Sequence, residues 1–343
     1  MSRKLTYLAL ALGATACTAD VTEPKAAAPG PDASALLFYS VWGYQASALP
    51  LDYGAAINGA GNVVGTLGGQ GVYYAQGVTT TLPLLSSVAY VTPVDLLDDG
   101  RILARGNGPQ GPKALYYFNA TTAPIDIAAP YWAEPHAMNN QGVAVGRFGA
   151  PGRSWGAFRW TAATGAVDIT PAGYELGWAT DVSATGYAIG WVQLGNTVYN
   201  YLWNPASSAG VVVPSVTTYQ ALNGGVLVRH PTIGSATWST YYGYTAAGPD
   251  PVGHRVTKIS SNGRYVGSFT DPSTGQSRAW TSIGTSAATT LPLPAGFVSA
   301  RAIDVNGCGT ILGSGVQAAD NKTKAIVWSR SLTCDLAPAV AAW

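Results

Sequence analysis

Charge is what this 343-residue chain has least of. Its 18 Lys+Arg and 17 Asp+Glu make up 10% of the residues, where an ordinary soluble domain carries about 25%. With a formal net charge of +1 and no basic stripe, nucleic acid is excluded as the main partner. Only three glutamates and six lysines are present, so heptads and long Glu/Lys helices are absent. The three cysteines form no CxxC and have no histidine at ligand spacing, which argues against zinc. The loops 271–275 and 318–322 lack the alternating oxygens that calcium needs. No metal and no cofactor is therefore expected. None of His136, His230 and His254 stands in an HExxH, HxH or triad-like context, and no Gly-x-Ser-x-Gly occurs. Beyond the first 20 residues no apolar run approaches the roughly 18 residues of a spanning helix.

What is present is glycine (42), proline (22), tyrosine (19) and tryptophan (11), against six phenylalanines and an apolar share of 47%. The chain opens with Arg3 and Lys4, a short apolar core Leu5–Leu12, and the small residues Gly13-Ala14-Thr15-Ala16-Cys17. That is the layout of an export signal over residues 1–17. Cys17 after Ala16 resembles the lipobox of bacterial lipoproteins, which implies a lipidated Cys17 as the mature N-terminus. Because Ala14 stands where the lipobox has leucine, ordinary cleavage and secretion is the alternative. Residues 18–34 are Pro/Ala-rich and read as a flexible tether. In an oxidising compartment the remaining pair, Cys308 and Cys334, predicts one disulfide, the alternative being two free thiols.

Residues 35–343 read as one domain written in copies. Ala56-Ile57-Asn58-Gly59-Ala60-Gly61-Asn62-Val63-Val64-Gly65 returns at 137–146, 181–190 and 258–267, with weaker copies at 95, 221 and 302. The turn glycines are read as Gly61, Gly100, Gly142, Gly186, Gly225, Gly263 and Gly307, about 41 residues apart. Each copy continues into an aromatic run (VYYA, ALYYF, GAFRW, YNYLW, SRAW, KAIVW), a turn and a further apolar run. Four short β-favouring runs with Gly/Asn/Pro turns predict one four-stranded blade of a β-propeller. The expectation is an all-β, seven-bladed propeller. An N-terminal segment that looks like half a unit (36–51) leaves an eight-bladed ring with a composite blade as the alternative, and a parallel β-helix is the rival fold.

Ile57-Asn58-x-x-Gly61-x-x-Val64-Gly65 and Gly156-Ala157-Phe158-Arg159-Trp160 resemble the HAF repeat of bacterial extracellular proteins, across roughly residues 35–335. The His-Ala-Phe itself survives only as Gly156-Ala157-Phe158, or as Lys/Arg-Ala at 113–114, 278–279 and 324–325. The resemblance implies an exported β-propeller and carries over no catalytic residue.

The repeat also says where to look for function. Trp42, Trp160, Trp203, Trp280 and Trp328 fill the repeated aromatic slot and read as packing. Trp132 and Trp178 precede inner strands and are candidate ligand contacts. Asp98-Asp99 reads as turn chemistry. Counting back from the turn glycine, the fifth and sixth positions vary in polarity beside a uniform apolar column, as residues around a channel mouth would. This selects Asp95, His136, Asp181, Gln220, Lys258 and Arg301 as a ligand-facing set. The function expected is that of a monomeric, non-catalytic binding module for a carbohydrate, peptide or protein, held at the membrane through an N-terminal lipid anchor on the outer face of the envelope. A secreted or periplasmic location is the alternative there. For function, the alternatives are a propeller enzyme (a glycan hydrolase or lyase) with its site in the central mouth, and a structural envelope protein.

Overall fold

Each repeated turn closes in one way. Gly61, Gly142, Gly186 and Gly263 take positive φ, and each amide donates to the carbonyl three residues earlier, as Gly61 does to Asn58 and Gly142 to Asn139. Glycine reaches that conformation without a Cβ penalty. The polar side chain that starts the turn then accepts from the amide four residues on: Asn58 from Asn62, Asn139 from Val143, Ser183 from Tyr187 and Ser260 from Arg264.

These turns join strands into antiparallel meanders. The computed structural model describes residues 43–330 apart from 110, 150–151, 153, 214–217, 224–225, 231–239, 242–254, 261–262 and 284–287, with side chains described outside 213–254. Among the described residues there is no helix, and the strands form seven antiparallel sheets, six of them four-stranded. The inner strands, in order, are Tyr53–Ile57, Tyr90–Leu96, Ala133–Met138, Leu176–Val182, Thr218–Asn223, Arg255–Ile259 and Phe297–Val305. Each lies against the inner strand of the next sheet, and that of the seventh returns to the first. This is a β-propeller. The fourth strand of the seventh sheet is Tyr44–Ala48, from the other end of the chain, paired with Thr323–Arg330. The Tyr44 hydroxyl donates to the Gly309 carbonyl at 2.9 Å, fastening that strand to the last turn.

One expected register changes. Gly309, not Gly307, has the positive φ and donates to Asn306. The loop Asn306-Gly307-Cys308-Gly309 offers two glycines, and only the second stands three residues after the capping asparagine. The fifth and sixth positions of this copy are therefore Asp304 and Ile303, and Arg301 belongs to another column.

The second glycine of the repeat has a separate cause. Every described inner strand carries a β-bulge at the same place, between Gly54 and Ala56, Pro93 and Asp95, Pro135 and Ala137, Ala179 and Asp181, Tyr219 and Ala221, Val256 and Lys258, and Ala302 and Asp304. Two inner-strand residues there oppose one on the second strand. A Cβ on Gly65, Gly146, Gly190, Gly267 or Gly313 would land on the carbonyl oxygen of Tyr53, Glu134, Trp178, Arg255 or Arg301. The second sheet has Ala104 at this place, opposite Pro93.

The core is divided into layers between neighbouring sheets. Val64, Leu82 and Ala56 of the first sheet pack with Leu96, Ile102 and Tyr117 of the second. Phe158 and Trp160 of the third pack with Leu103 and Tyr116 of the second, and Leu312 and Ala325 of the seventh with Ile57 and Val72 of the first. Trp160, Trp203, Trp280 and Trp328 are buried, Trp328 completely, as the repeated slot predicts. Trp42 lies outside the described residues. The small residue of the third-strand motif is equally buried: Ala114, Ala157, Ala279 and Ala325 are at most 1% exposed.

Candidate functional site

Two rings of side chains follow from this frame, one around the axis and one at the end where the inner strands begin. The axial ring consists of the residues just after the bulge. Asp95, Asp181 and Asp304 are buried there. Each accepts from the amide of the following residue, Leu96, Val182 or Val305, at 2.8–2.9 Å. The second oxygens of two of them reach the neighbouring sheet: Asp95 accepts from Met138 N and Asp304 from Ile57 N, both at 2.8 Å. An inner strand leaves these amides unpaired on its axial edge, and a buried amide without an acceptor is costly. The carboxylates are thus ties between sheets. Lys258 Nζ stands 3.9 Å from Asp181 Oδ1. The Asp181 charge first, then those of Asp95 and Asp304, raise the Lys258 pKa against the opposing effect of burial. Burial pushes Asp95 up to about 6, with Lys258 pulling it down.

The turn end is laced too. Asn58 Nδ2 donates to Leu97 O, Asn139 Nδ2 to Ser183 O, and Asn306 Nδ2 to Asn58 O. Asp98, read as turn chemistry, instead bridges three sheets: it accepts from Gly59 N and from Asn140 Nδ2, while its own amide donates to Asn140 Oδ1. Asp99 does keep a turn role, accepting from Arg101. Cys308 is disulfide-bonded, and its expected partner Cys334 lies outside the described residues.

The second ring stands one pair before the glycine. Its cross-strand pairs are Tyr53–Thr66, Thr92–Arg105, Glu134–Arg147, Trp178–Trp191, Arg255–Ser268 and Arg301–Ser314. In the fifth sheet the pair is Thr218–His230, where side chains are not described. Two of the described pairs reach the following sheet through their arginines. Arg105 Nη1 lies 3.8 Å from Glu134 Oε1. The Arg147 guanidinium grips Glu134 Oε2 through Nε and Nη2 at 2.8 and 2.6 Å. That guanidinium lies 3.8 Å over the Trp178 ring and 4.3 Å over Trp155. Trp191 packs against Trp178 with ring centroids 5.2 Å apart and His136 with centroids 4.8 Å apart, both tilted, at 50° and 46°. Trp155, Trp178 and Trp191 are all partly exposed. A guanidinium held between two indoles and paired to a carboxylate is a rigid stack, because its side chains lose their freedom on folding.

His136 sits beneath this stack, and burial lowers its pKa to about 4. Neither His136 Nε2 nor Trp178 Nε1 has a hydrogen-bond partner among the described residues. The pH consequence has a definite sign. Because the folded pKa lies below the usual 6.5, the unfolded chain takes up the proton first, and this stability is lost as pH falls from about 6.5 towards 4. Asp95 acts oppositely: its raised pKa costs stability above about pH 6, a cost relieved on acidification. Replacing His136 with Leu is expected to remove the first effect alone. The melting temperature of the variant, compared with that of wild type, should rise by several degrees between about pH 7 and pH 4.5, reflecting roughly 2–3 kcal/mol. Parallel pH profiles of the two proteins would remove His136 as the cause.

The expected ligand-facing residues therefore separate. Asp95, Asp181 and Lys258 belong to the axial ring, His136 underlies the aromatic stack, and Arg301 is an exposed member of the strand-start ring. Gln220 lies outside the described side chains. Trp178 is the centre of the stack. Trp132 lies over Gly149. Arg147, Trp155, Trp191 and Arg255 were not among the sequence-selected residues. The signal available was the polar and aromatic variety eight places before the turn glycine for Arg255, and five places after it for Arg147 and Trp191.

No protein-family model and no curated protein matches the chain. Among solved structures, it is similar to one from a study of two prolyl endopeptidases, with 11% identity and a TM-score of 0.51 over 85% of this chain and 51% of that one. It spans about half the length of that endopeptidase. TolB from Acinetobacter baumannii is similar at 14% identity and a TM-score of 0.40, covering 67% of this chain and 64% of its own. A catalytically inactive virginiamycin B lyase from Staphylococcus aureus, solved with quinupristin, is similar at 12% identity and a TM-score of 0.44, covering 82% and 99%. The likeness to the endopeptidase structure is one of fold alone.

Proposed function

We propose that the protein is a non-catalytic binding propeller of seven blades, and that it takes a glycan at the strand-start end. The aromatic stack of Trp155, Trp178 and Trp191, rigidified by Arg147, carries this reading. Flat, partly exposed indoles suit the apolar faces of sugar rings. Support for binding rather than catalysis comes from the axial carboxylates. Their oxygens are occupied by backbone amides that hold sheets together, which is a poor state for a general acid or nucleophile. The seven described sheets, and the use of Tyr44–Ala48 to complete the last, favour seven blades over eight.

The export reading is proposed on sequence grounds: a signal over residues 1–17, a lipid on Cys17, a tether over 18–34, and HAF-type repeats facing the exterior of the envelope. The disulfide at Cys308 suits that oxidising compartment.

Glycan-array screening of the domain beside a Trp191→Ala variant tests the function. Binding is expected for wild type, with a loss of at least about 10-fold in the variant, in keeping with the ~1–2 kcal/mol carried by an aromatic contact. Turnover of an array glycan by the wild-type protein would overturn the non-catalytic reading.

A further inference from the structure

The strand-start ring is uneven in charge. Arg105 and Arg147 are matched by Glu134, Lys324 by Asp52, Arg278 by Asp271 and Lys113 by Asp126. Arg255 and Arg301 are different. They occupy the same ring position on the inner strands of adjacent sheets, both are exposed, and neither has a carboxylate partner among the described residues. Arg301 is also held in place, its Nε donating to Ser314 Oγ at 3.1 Å. Arg105 and Arg147 each reach the following sheet, and Arg255, at the same register, stands on the inner strand next to the one that carries Arg301. Of the exposed carboxylates, Glu175 belongs to this end without an ion pair among the described residues, but it adjoins the fourth sheet, two and three sheets away around the ring.

Two exposed cations on neighbouring inner strands, with no counter-charge among the described residues, favour an anion between them. Guanidinium groups suit planar carboxylates through paired N–H donors. From this we infer that Arg255 and Arg301 form a carboxylate subsite, and that the ligand of the mouth is an acidic glycan carrying uronate groups. This inference rests on the glycan-binding reading above. It adds the acid specificity, which the aromatic stack alone does not supply. A sugar chain laid across the mouth then meets indoles on the third and fourth sheets and guanidinia on the sixth and seventh.

The test is calorimetric titration of the whole mature protein with three probes: oligogalacturonate, its methyl-esterified counterpart and oligoglutamate. The proteins compared are wild type, the Arg255→Gln/Arg301→Gln double variant and Trp191→Ala. Wild type is expected to prefer the acid over the ester by roughly 100-fold, about 10-fold for each charge-assisted contact. The double variant should lose that preference while holding its affinity for the ester, and Trp191→Ala should weaken both sugars. Equal binding of acid and ester by wild type would overturn the carboxylate subsite and leave the glycan reading standing. Oligoglutamate binding as tightly as oligogalacturonate would replace the glycan with an acidic peptide. If no sugar binds wild type, or if Trp191→Ala changes nothing, the underlying glycan reading fails as well.

Discussion

Gly190→Ala is expected to destabilise the protein by at least about 3 kcal/mol, lowering its melting temperature by roughly 5–10 °C. The new methyl group would meet the Trp178 carbonyl oxygen, and it would also come within 2.8 Å of the Trp178 carbonyl carbon and of Tyr201 Cε1. A flexible side chain can move away from an added methyl, but a carbonyl held in a bulge can do so only by undoing the bulge. The bulge places Asp181 next to the axis, so the damage extends beyond the contact itself. Ala104→Gly is the internal comparison. That sheet already accommodates a methyl group, and the change should cost only the ~0.5–1 kcal/mol of added backbone freedom. Thermal melts of both variants test the argument, and an unchanged melting temperature for Gly190→Ala would contradict it.

Lys258→Met is expected to cost about 3 kcal/mol at neutral pH, through the axial ring. It leaves Asp181, Asp95 and Asp304 without the cation that acts on them. Breaking a buried pair by removing one partner costs more than the pair itself contributes, because a desolvated charge is left behind. The loss should shrink on acidification. Without Lys258 the Asp95 pKa rises further above its unfolded value, so the penalty is present at high pH and relieved as the pH falls through about 6. Wild type should show the opposite dependence at the alkaline end: a raised Lys258 pKa gives stability that is complete below about pH 10.5 and is lost above the folded value. Urea denaturation of the variant at about pH 5 and pH 8 separates this account from one in which the axial charges are merely solvated. In that case the substitution would cost under about 0.5 kcal/mol at both.

Both effects arise from features that the sequence displays but does not explain. The Val-Gly step is plain in the repeat, yet the reason for its glycine is a bulge on the preceding strand, and only the pairing reveals it. The capping Asn or Ser was readable as turn chemistry. Its second bond, from Asn58, Asn139 or Asn306 to a neighbouring sheet, joins residues far apart in the sequence and could not be counted from one copy. The four-stranded unit, the all-β class and the buried tryptophan slot were legible because each depends on local patterning.

The site was legible only in part. Polar variation within a repeat does single out residues near the axis, as it did for Asp95, Asp181 and Lys258. Pattern alone, however, cannot tell a ligand contact from a carboxylate that satisfies the edge amides of an inner strand, since both interrupt an apolar repeat. The misplaced glycine in the last copy hid Asp304, the clearest member of the axial ring, and put Arg301 in the wrong column. Corrected by two residues, that arginine shares its ring position with Arg255, and the next ring outward comes into view. The scarcity of charge follows the same physics: with both faces of each sheet buried between neighbours, ionised groups persist at the strand ends, in the loops, and where they tie the axis together.

The central claim is that the strand-start ring binds ligand and the axial ring holds the fold. It is tested most directly by titrating the best array glycan into wild type, Trp191→Ala and Asp95→Asn. The account predicts that Trp191→Ala lowers affinity at least about 10-fold with little change in melting temperature, whereas Asp95→Asn lowers the melting temperature and leaves the affinity of the folded protein intact. Loss of affinity in Asp95→Asn, with Trp191→Ala binding as wild type does, would contradict it.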